Sequence, residues 1–262
     1  MSSHDRNSLP AALHTPSMCP VGAQAIAHRG SRVGVLVLHG FTGSPWEVQP
    51  LCEAAMDRGL SVAAPILPGH ATTIHALDQV QWQDWLVAAQ LSHAWLARNC
   101  DVVHLAGFSM GGLLAALLAE QHPTPDRRLA LLAPAFAVSL PQKWILQVLA
   151  RVGVVSHLGK ADPRLPSGLR PPCYAAIPIR GAQQFLQLMS LVTSKRRVIG
   201  GEILHLHGTS DGTIDRQLAR TAVSKAIEGK VRNADIDSGH LLFQDRNAQQ
   251  ALKLTMDFLT DV

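Results

Sequence analysis

The chain has 262 residues, of which 47% are hydrophobic and 16% charged, and its formal net charge is +4. That length suits one large α/β domain, that composition excludes disorder, and so mild a charge gives no reason to expect a nucleic-acid partner. The basic clusters Lys195-Arg196-Arg197 and Arg127-Arg128 are not interleaved with aromatics and read as solvated faces. The four cysteines, Cys19, Cys52, Cys100 and Cys173, have neither CxxC nor metal-ligand spacing, which fits reduced thiols and a cytoplasmic location. Residues 1–19 lack the pattern of a signal peptide. The longest apolar run, 129–138, is too short to span a bilayer and is interrupted by Pro134, so no integral membrane segment is expected.

In chain order, residues 1–20 read as a polar, proline-containing tail. A weak strand is expected over 22–27 and a buried one over 33–38, where branched residues run without a charge. It leads into the loop His39-Gly40-Phe41-Thr42-Gly43-Ser44-Pro45, with Ser44 placed to cap a helix from Pro45 to Arg58. Gly59 closes that helix and 60–65 is a strand. After the loop Pro68-Gly69-His70 and a polar stretch to Val80, a long helix over about 82–98 puts Trp85, Ala88, Ala89, Ser92 and Leu96 on one stripe. A strand over 101–106, an Ala/Leu-rich helix over 113–121 and a strand over 129–132 follow. This alternation predicts a mostly parallel, doubly wound sheet.

The pattern changes over 136–198. Amphipathic segments at 144–152 and 180–193 flank a proline-rich stretch over 161–178, which predicts an inserted cap of short helices. The sheet resumes at 202–206, followed by a helix over about 216–228, a strand over 231–236 and a closing helix capped by Asn247. The expected organisation is a tail at 1–20, a core at 21–135 and 199–262, and a cap insertion at 136–198.

The chain is organised around Gly107-Phe108-Ser109-Met110-Gly111-Gly112, which falls between a predicted strand and a predicted helix. Gly-x-Ser-x-Gly in that setting is a sharp turn that presents a serine hydroxyl at the edge of a parallel sheet. A serine needs a base, and the base needs a group to orient it. In a strand–turn–helix context of this kind the acid follows a late strand and the histidine follows the last one. Asp211 stands after the predicted strand 202–206 and His240 after 231–236, both at carboxyl ends of strands, where ligands bind in open α/β sheets. Asp215 and Asp237 are the alternative acids; Asp215 is better placed as a helix N-cap and Asp237 as a turn residue. Among the thirteen histidines, His39, His104, His205 and His207 follow or lie within strands and read as packed, and His70 reads as a turn residue. The developing oxyanion needs backbone N–H donors, for which Met110 and Phe41 are the candidates. This chemistry, serine attack on a carbonyl followed by hydrolysis of the acyl-enzyme, requires no metal and no organic cofactor.

The blocks Leu38-His39-Gly40-Phe41-Thr42-Gly43-Ser44-Pro45, Pro68-Gly69-His70, Gly107-Phe108-Ser109-Met110-Gly111-Gly112, Ser210-Asp211-Gly212-Thr213-Ile214 and Ser238-Gly239-His240 resemble the α/β-hydrolase superfamily. They are most similar to small bacterial carboxylesterases and monoacylglycerol lipases, and the likeness runs from about residue 20 to the C-terminus. It implies Ser109, Asp211 and His240 as a triad, Phe41 and Met110 as the oxyanion hole, and a helical cap lining an acyl pocket. Two departures stand out. Ala71 follows His70 where relatives usually have a second glycine, and Ala175-Ala176 follow Tyr174 where some relatives carry an acidic residue. The expected activity is hydrolysis of small to medium acyl esters, with Trp144, Leu146, Leu149, Phe185, Leu188 and Met189 as candidate acyl-lining residues. The alternatives are a thioesterase or carrier-protein methyl-ester hydrolase, in which Lys195, Arg196 and Arg197 would meet an acidic acyl-carrier partner, and a non-catalytic ligand-binding protein on the same fold. The natural substrate and oligomeric state are left open.

Overall fold

The computed structural model describes residues 9–139, 156–159, 168 and 170–260. Strand β2 (Val33–Leu38) shows why the sheet forms. Its side chains alternate, Leu36 and Leu38 entering one apolar cluster and Val35 and Val37 another, so both faces are buried. A strand covered on both sides needs apolar residues without a polar face, and the uncharged run at 33–38 supplies them.

Around β2 stand β1 (Ile26–His28), β3 (Ser61–Ala64), β4 (Val102–Phe108), β5 (Arg128–Leu132), β8 (Arg197–Gly208) and β9 (Ile227–Ile236). The spatial order is β1-β3-β2-β4-β5-β8-β9, parallel throughout except for the antiparallel pairing of β1 with β3. On one face lie α1 (Gln49–Asp57) and α7 (Ala248–Thr260), with Leu51, Cys52, Met256 and Leu259 in the core. On the other lie α3 (Trp82–Ala97), α4 (Met110–Gln121) and α6 (Arg216–Ala226). Trp85, Ala88, Ala89, Ser92 and Leu96 are all buried, as the helical stripe predicts. The chain leaves β2 toward β3 on one side and returns through α3 to β4 on the other. The switch point between β2 and β4 opens a crevice at their carboxyl ends.

Several local expectations are corrected. The helix expected from Pro45 to Arg58 is a 3-10 turn, Pro45–Val48, followed by α1; Pro50, which has no N–H to give, sits in the first turn of the new helix. Ser44 makes no capping bond. The polar stretch before Val80 contains a short helix, α2 (Ile74–Gln79), whose cap Thr73 accepts the Ala76 N–H at 3.1 Å. Asn247 stands immediately before α7, where a cap is expected, and its side-chain amide donates to the Asp237 carbonyl at 2.6 Å. Asp215, in contrast, is an N-cap as expected, accepting from Leu218 N at 2.7 Å. Near the N-terminus, Ala11–Leu13 forms a 3-10 turn with Leu13 buried in the core.

The inserted region carries α5 (Ile179–Thr193), close to the amphipathic segment expected over 180–193. It also carries a short antiparallel pair, β6 (His157–Gly159) with β7 (Ala176–Pro178), where only helices and loop were expected. The segment 144–152 lies outside the described residues. The inserted region is fastened to the stretch after β3 and, at one point, to the loop after β2. Tyr174 Oη donates to Gly69 O at 2.7 Å and accepts from Thr72 N at 3.0 Å, and Tyr174 N donates to Thr42 O at 3.1 Å. Asp78 Oδ1 accepts the Arg180 and Gly181 N–H groups at 2.9 and 3.2 Å, and Gln184 accepts from Trp82 N at 3.2 Å. Among the described residues no helix is long and apolar enough to cross a membrane.

Ala71 holds φ +52°, a left-handed backbone that costs an L-residue with a Cβ about 1–2 kcal/mol. Glycine takes this conformation without that cost. Ala71→Gly is therefore expected to leave stability unchanged or raise it by up to about 1 kcal/mol, the reverse of the usual Ala→Gly penalty. Urea unfolding of the two proteins measures it, and a loss of more than about 1 kcal/mol would contradict the strain argument.

Candidate active site

Ser109 stands between β4 and α4 with φ +52° and ψ −116°, a conformation that lies outside the ordinary regions for an L-residue. The turn survives because its neighbours come very close. A Cβ on Gly111 would stand 2.2 Å from Leu38 O, and one on Gly107 would stand 2.3 Å from Gly111 O. The main chain of Ser109 is clamped to the end of β5 and the loop beyond: its N–H donates to Leu132 O at 2.9 Å and its carbonyl accepts from Ala135 N at 3.1 Å. Met110 is the first residue of α4, where a backbone N–H has no carbonyl partner within the helix.

The loop after β2 faces the serine across the switch point. Its shape is held from below by two buried side chains. Glu47 Oε2 accepts the Gly40 N–H at 2.9 Å. His39 Nδ1 donates to Gly40 O at 2.9 Å while its Nε2 accepts Leu67 N–H at 3.1 Å, an arrangement that only the neutral ring can make. Burial, with His70 nearby, pushes the proton affinity of His39 well below the ordinary histidine range, so the neutral ring persists. Phe41 lies at the crevice, stacked on Phe185 with ring centroids 5.4 Å apart and 10° between planes.

Asp211 and His240 arrive on the turns after β8 and β9, two adjacent parallel strands that end at the same sheet edge. His240 Nδ1 lies 2.7 Å from Asp211 Oδ2. Asp211 Oδ1 accepts the Thr213 and Ile214 N–H groups at 2.8 and 2.9 Å, and Oδ2 also lies 3.2 Å from His207 Nε2. Burial alone would push the Asp211 carboxyl up. The hydrogen bonds from His207, His240 and the Ile214 backbone outweigh it and hold the group well below the usual carboxylate range. The His240 ring sits 4.9 Å from that of Phe108, centroid to centroid.

Ser109, His240 and Phe41 share one cavity of about 340 Å³, whose remaining apolar walls include Phe108, Val138, Leu158, Ile177, Ala182 and Phe185. Of the expected acyl-lining residues, Phe185 is on this wall. Leu188 and Met189, later on α5, are buried instead among the leucines of α4 and do not line it. Trp144, Leu146 and Leu149 lie outside the described residues. Among the described residues, no three His, Cys, Asp or Glu side chains converge as a metal site would require.

A mostly parallel sheet with a serine elbow at its switch point defines the α/β-hydrolase fold. The family model described as serine aminopeptidase S33 (Hydrolase_4) matches residues 30–247, and the chain belongs to this family. It is 38% identical over 102 residues to the thermostable monoacylglycerol lipase of Bacillus sp. (strain H-257), a match covering 39% of this chain and 41% of the lipase. It is 28% identical over 96 residues to a carboxylesterase of Bacillus subtilis (strain 168), covering 36% and 39% of the two chains. In these alignments the chain spans about two fifths of the length of the relatives it matches. Among solved structures, a metagenome-derived lipolytic enzyme from work on LipS and LipT superposes with a TM-score of 0.81 at 24% identity, covering 93% of this chain and all of that one.

Because Asp211 keeps its charge to lower pH when folded than when unfolded, it adds stability above about pH 4, and that contribution drains away as pH falls further. Asp211→Asn is expected to flatten the loss of unfolding free energy below pH 4. Urea titrations between pH 3 and 6 measure the slope, and identical slopes in the two proteins would contradict the assignment.

Proposed function

We propose that the protein is a serine carboxylic-ester hydrolase that works through an acyl-enzyme on Ser109. The observation that carries this reading is the 2.7 Å contact between His240 Nδ1 and Asp211 Oδ2, with the His240 ring and Ser109 lining the same apolar cavity. The carboxylate, held charged by two backbone N–H groups and two rings, fixes His240 with its proton on Nδ1 and leaves Nε2 as the base.

In the proposed cycle Ser109 Oγ attacks the ester carbonyl carbon as its proton passes to His240 Nε2. The tetrahedral oxyanion is met by the backbone N–H groups of Met110 and Phe41, the first exposed by its place at the start of α4. Collapse expels the alcohol, which takes the proton from His240. A water molecule, deprotonated by the same ring, then releases the acid and regenerates Ser109. Kinship to a monoacylglycerol lipase and a carboxylesterase supports an oxygen ester as substrate. The cavity is at the small end of the range for small-molecule sites and its walls are mainly hydrocarbon, which supports a short to medium acyl chain.

The structure gives little support to docking of an acidic carrier on the 195–197 cluster. Arg197 is buried and pairs with Glu120, Lys195 pairs with the same carboxylate at 3.1 Å, and Arg196 pairs with Glu228 at 3.3 Å. Two carboxylates offset most of the cluster's charge and leave it a net charge of +1. An ester of a small alcohol or of glycerol therefore stands as the proposed substrate class.

Turnover of a p-nitrophenyl ester series from acetate to laurate, with 1-monoacylglycerols and acyl thioesters alongside, tests the reading. Wild type is expected to prefer oxygen esters of short to medium chain, and Ser109→Ala to lower kcat by about four to six orders of magnitude. Activity that survives Ser109→Ala would sink the proposal.

A further inference from the structure

The acid of the proposed triad is not the end of the hydrogen-bonded chain. Behind Asp211, on β8, stand two buried rings that take no part in the proton transfers above. His207 Nε2 lies 3.2 Å from Asp211 Oδ2 and 3.2 Å from the Ile214 carbonyl oxygen. Its Nδ1 lies 3.2 Å from His205 Nε2. Both rings are fully buried.

The protons in this chain follow from what each nitrogen faces. His207 Nε2 faces two oxygens that can only accept, so it carries a hydrogen and donates. One hydrogen lies between His207 Nδ1 and His205 Nε2. If His207 held it, His207 would be a buried cation, and neutral His205 would carry its own hydrogen on Nδ1. That nitrogen has no partner in hydrogen-bond geometry, although Asn233 on β9 lies beside the ring. A buried donor left without an acceptor is costly, and a bare ring lone pair there is the lesser cost. The hydrogen therefore belongs to His205, and the chain runs one way: His205 donates to His207, and His207 donates to Asp211. Burial first, then His207 and Arg220, push the proton affinity of His205 down to about 3, so it stays neutral across the working range. The charges facing this chain from neighbouring elements are Arg220 on α6 and Asp235 on β9. Asp235 is itself paired with Arg216 and Arg220 at 2.6 and 2.7 Å.

We infer that His207 is a positioning residue for catalysis, one that acts through Asp211. Its Nε2–H fixes the carboxylate oxygen that receives His240 and takes a share of that oxygen's negative charge. This rests on the triad reading given above. Two donors compete for Oδ2, so each weakens the pull of the carboxylate on the other. With His207 in place, His240 gives up a proton more readily than it would facing an unshared oxygen. Removing the Nε2–H leaves the full charge to His240, favours the imidazolium, and moves the acidic limb of kcat/KM to higher pH.

The test compares wild type, His207→Leu, His207→Gln and Ser109→Ala on p-nitrophenyl butyrate from pH 4.5 to 9. The Gln amide nitrogen can stand where Nε2 stood. His207→Leu is expected to lose about ten- to a hundredfold in kcat/KM, the range of one hydrogen bond to a charged group. Its acidic limb is expected to rise by about half a unit to one unit. His207→Gln should restore both to near the wild-type values. A role in packing alone would lower stability without moving the limb, so a folded His207→Leu with an unmoved limb overturns the inference. Histidine nitrogen NMR of the wild type decides the matter even if His207→Leu does not fold. A neutral His207 protonated on Nε2 supports the inference, and one protonated on Nδ1 with Nε2 bare overturns it. Activity in Ser109→Ala would overturn the triad reading and this inference with it; an inactive Ser109→Ala beside an unmoved limb overturns this inference alone.

Discussion

Ser109 occupies a backbone conformation that an L-residue does not take by itself, and the sheet around it has the shape required to hold it there. Residues in such regions cost about 1–3 kcal/mol and persist only where their surroundings over-determine them. The surroundings are β2, which brings Leu38 O against Gly111, and the end of β5 with the loop beyond it, where Leu132 O takes the Ser109 N–H and Ala135 N donates to the Ser109 carbonyl. Neither contact is possible unless β4 lies between β2 and β5 in parallel register, and the pairing is indeed Leu38 with Gly107 on one side and Leu132 with Phe108 on the other. The elbow and the three central strands therefore form one structural unit. A volume change in the core under β4 reaches the serine without touching it.

The same parallel order explains why groups 29 residues apart in sequence meet. Strands β8 and β9 run side by side, paired from His205 to Gly208 with Asn233 to Ile236, so the turns carrying Asp211 and His240 leave the sheet together. The charge on Asp211 is supported first by the His207 and His240 rings and then by main chain, where Thr213 and Ile214 supply their N–H groups from within the same turn.

Legibility in the sequence follows the range of the forces. The elbow, the turns carrying Asp211 and His240 and the central strands could be placed because each depends on local rules: glycines where the chain is crowded, uncharged runs where both faces are covered, loops at strand ends. The break at Pro50 carries a local signal too, a proline a few residues inside an expected helix. Glu47 and His207 were not legible as parts of the site. A glutamate in a loop and a histidine in a strand acquire meaning only once tertiary contacts place them under Gly40 and beside Asp211. Residues 157–159 and 176–178 are three-residue strands, too short for a period-2 pattern to stand out. Leu188 and Met189 share a helical stripe with Phe185, and periodicity cannot say where along that stripe the cavity gives way to the α4 interface.

The fastening of the inserted region to the loop after β2 and the stretch after β3 divides labour between backbone and side chain. Of its contacts with residues 42–82, most use main-chain groups on at least one side: the N–H groups of Tyr174, Arg180 and Gly181 from the insertion, and those of Thr72 and Trp82 from the core. Backbone groups are present whatever side chain is attached to them. Ile177, Ala182 and Phe185, which face the cavity between these fixings, can therefore be exchanged while the attachment remains. Such a layout lets the inner wall be altered while the frame that carries Ser109 and His240 is left alone, so the shape of the cavity can change without loss of the attachment.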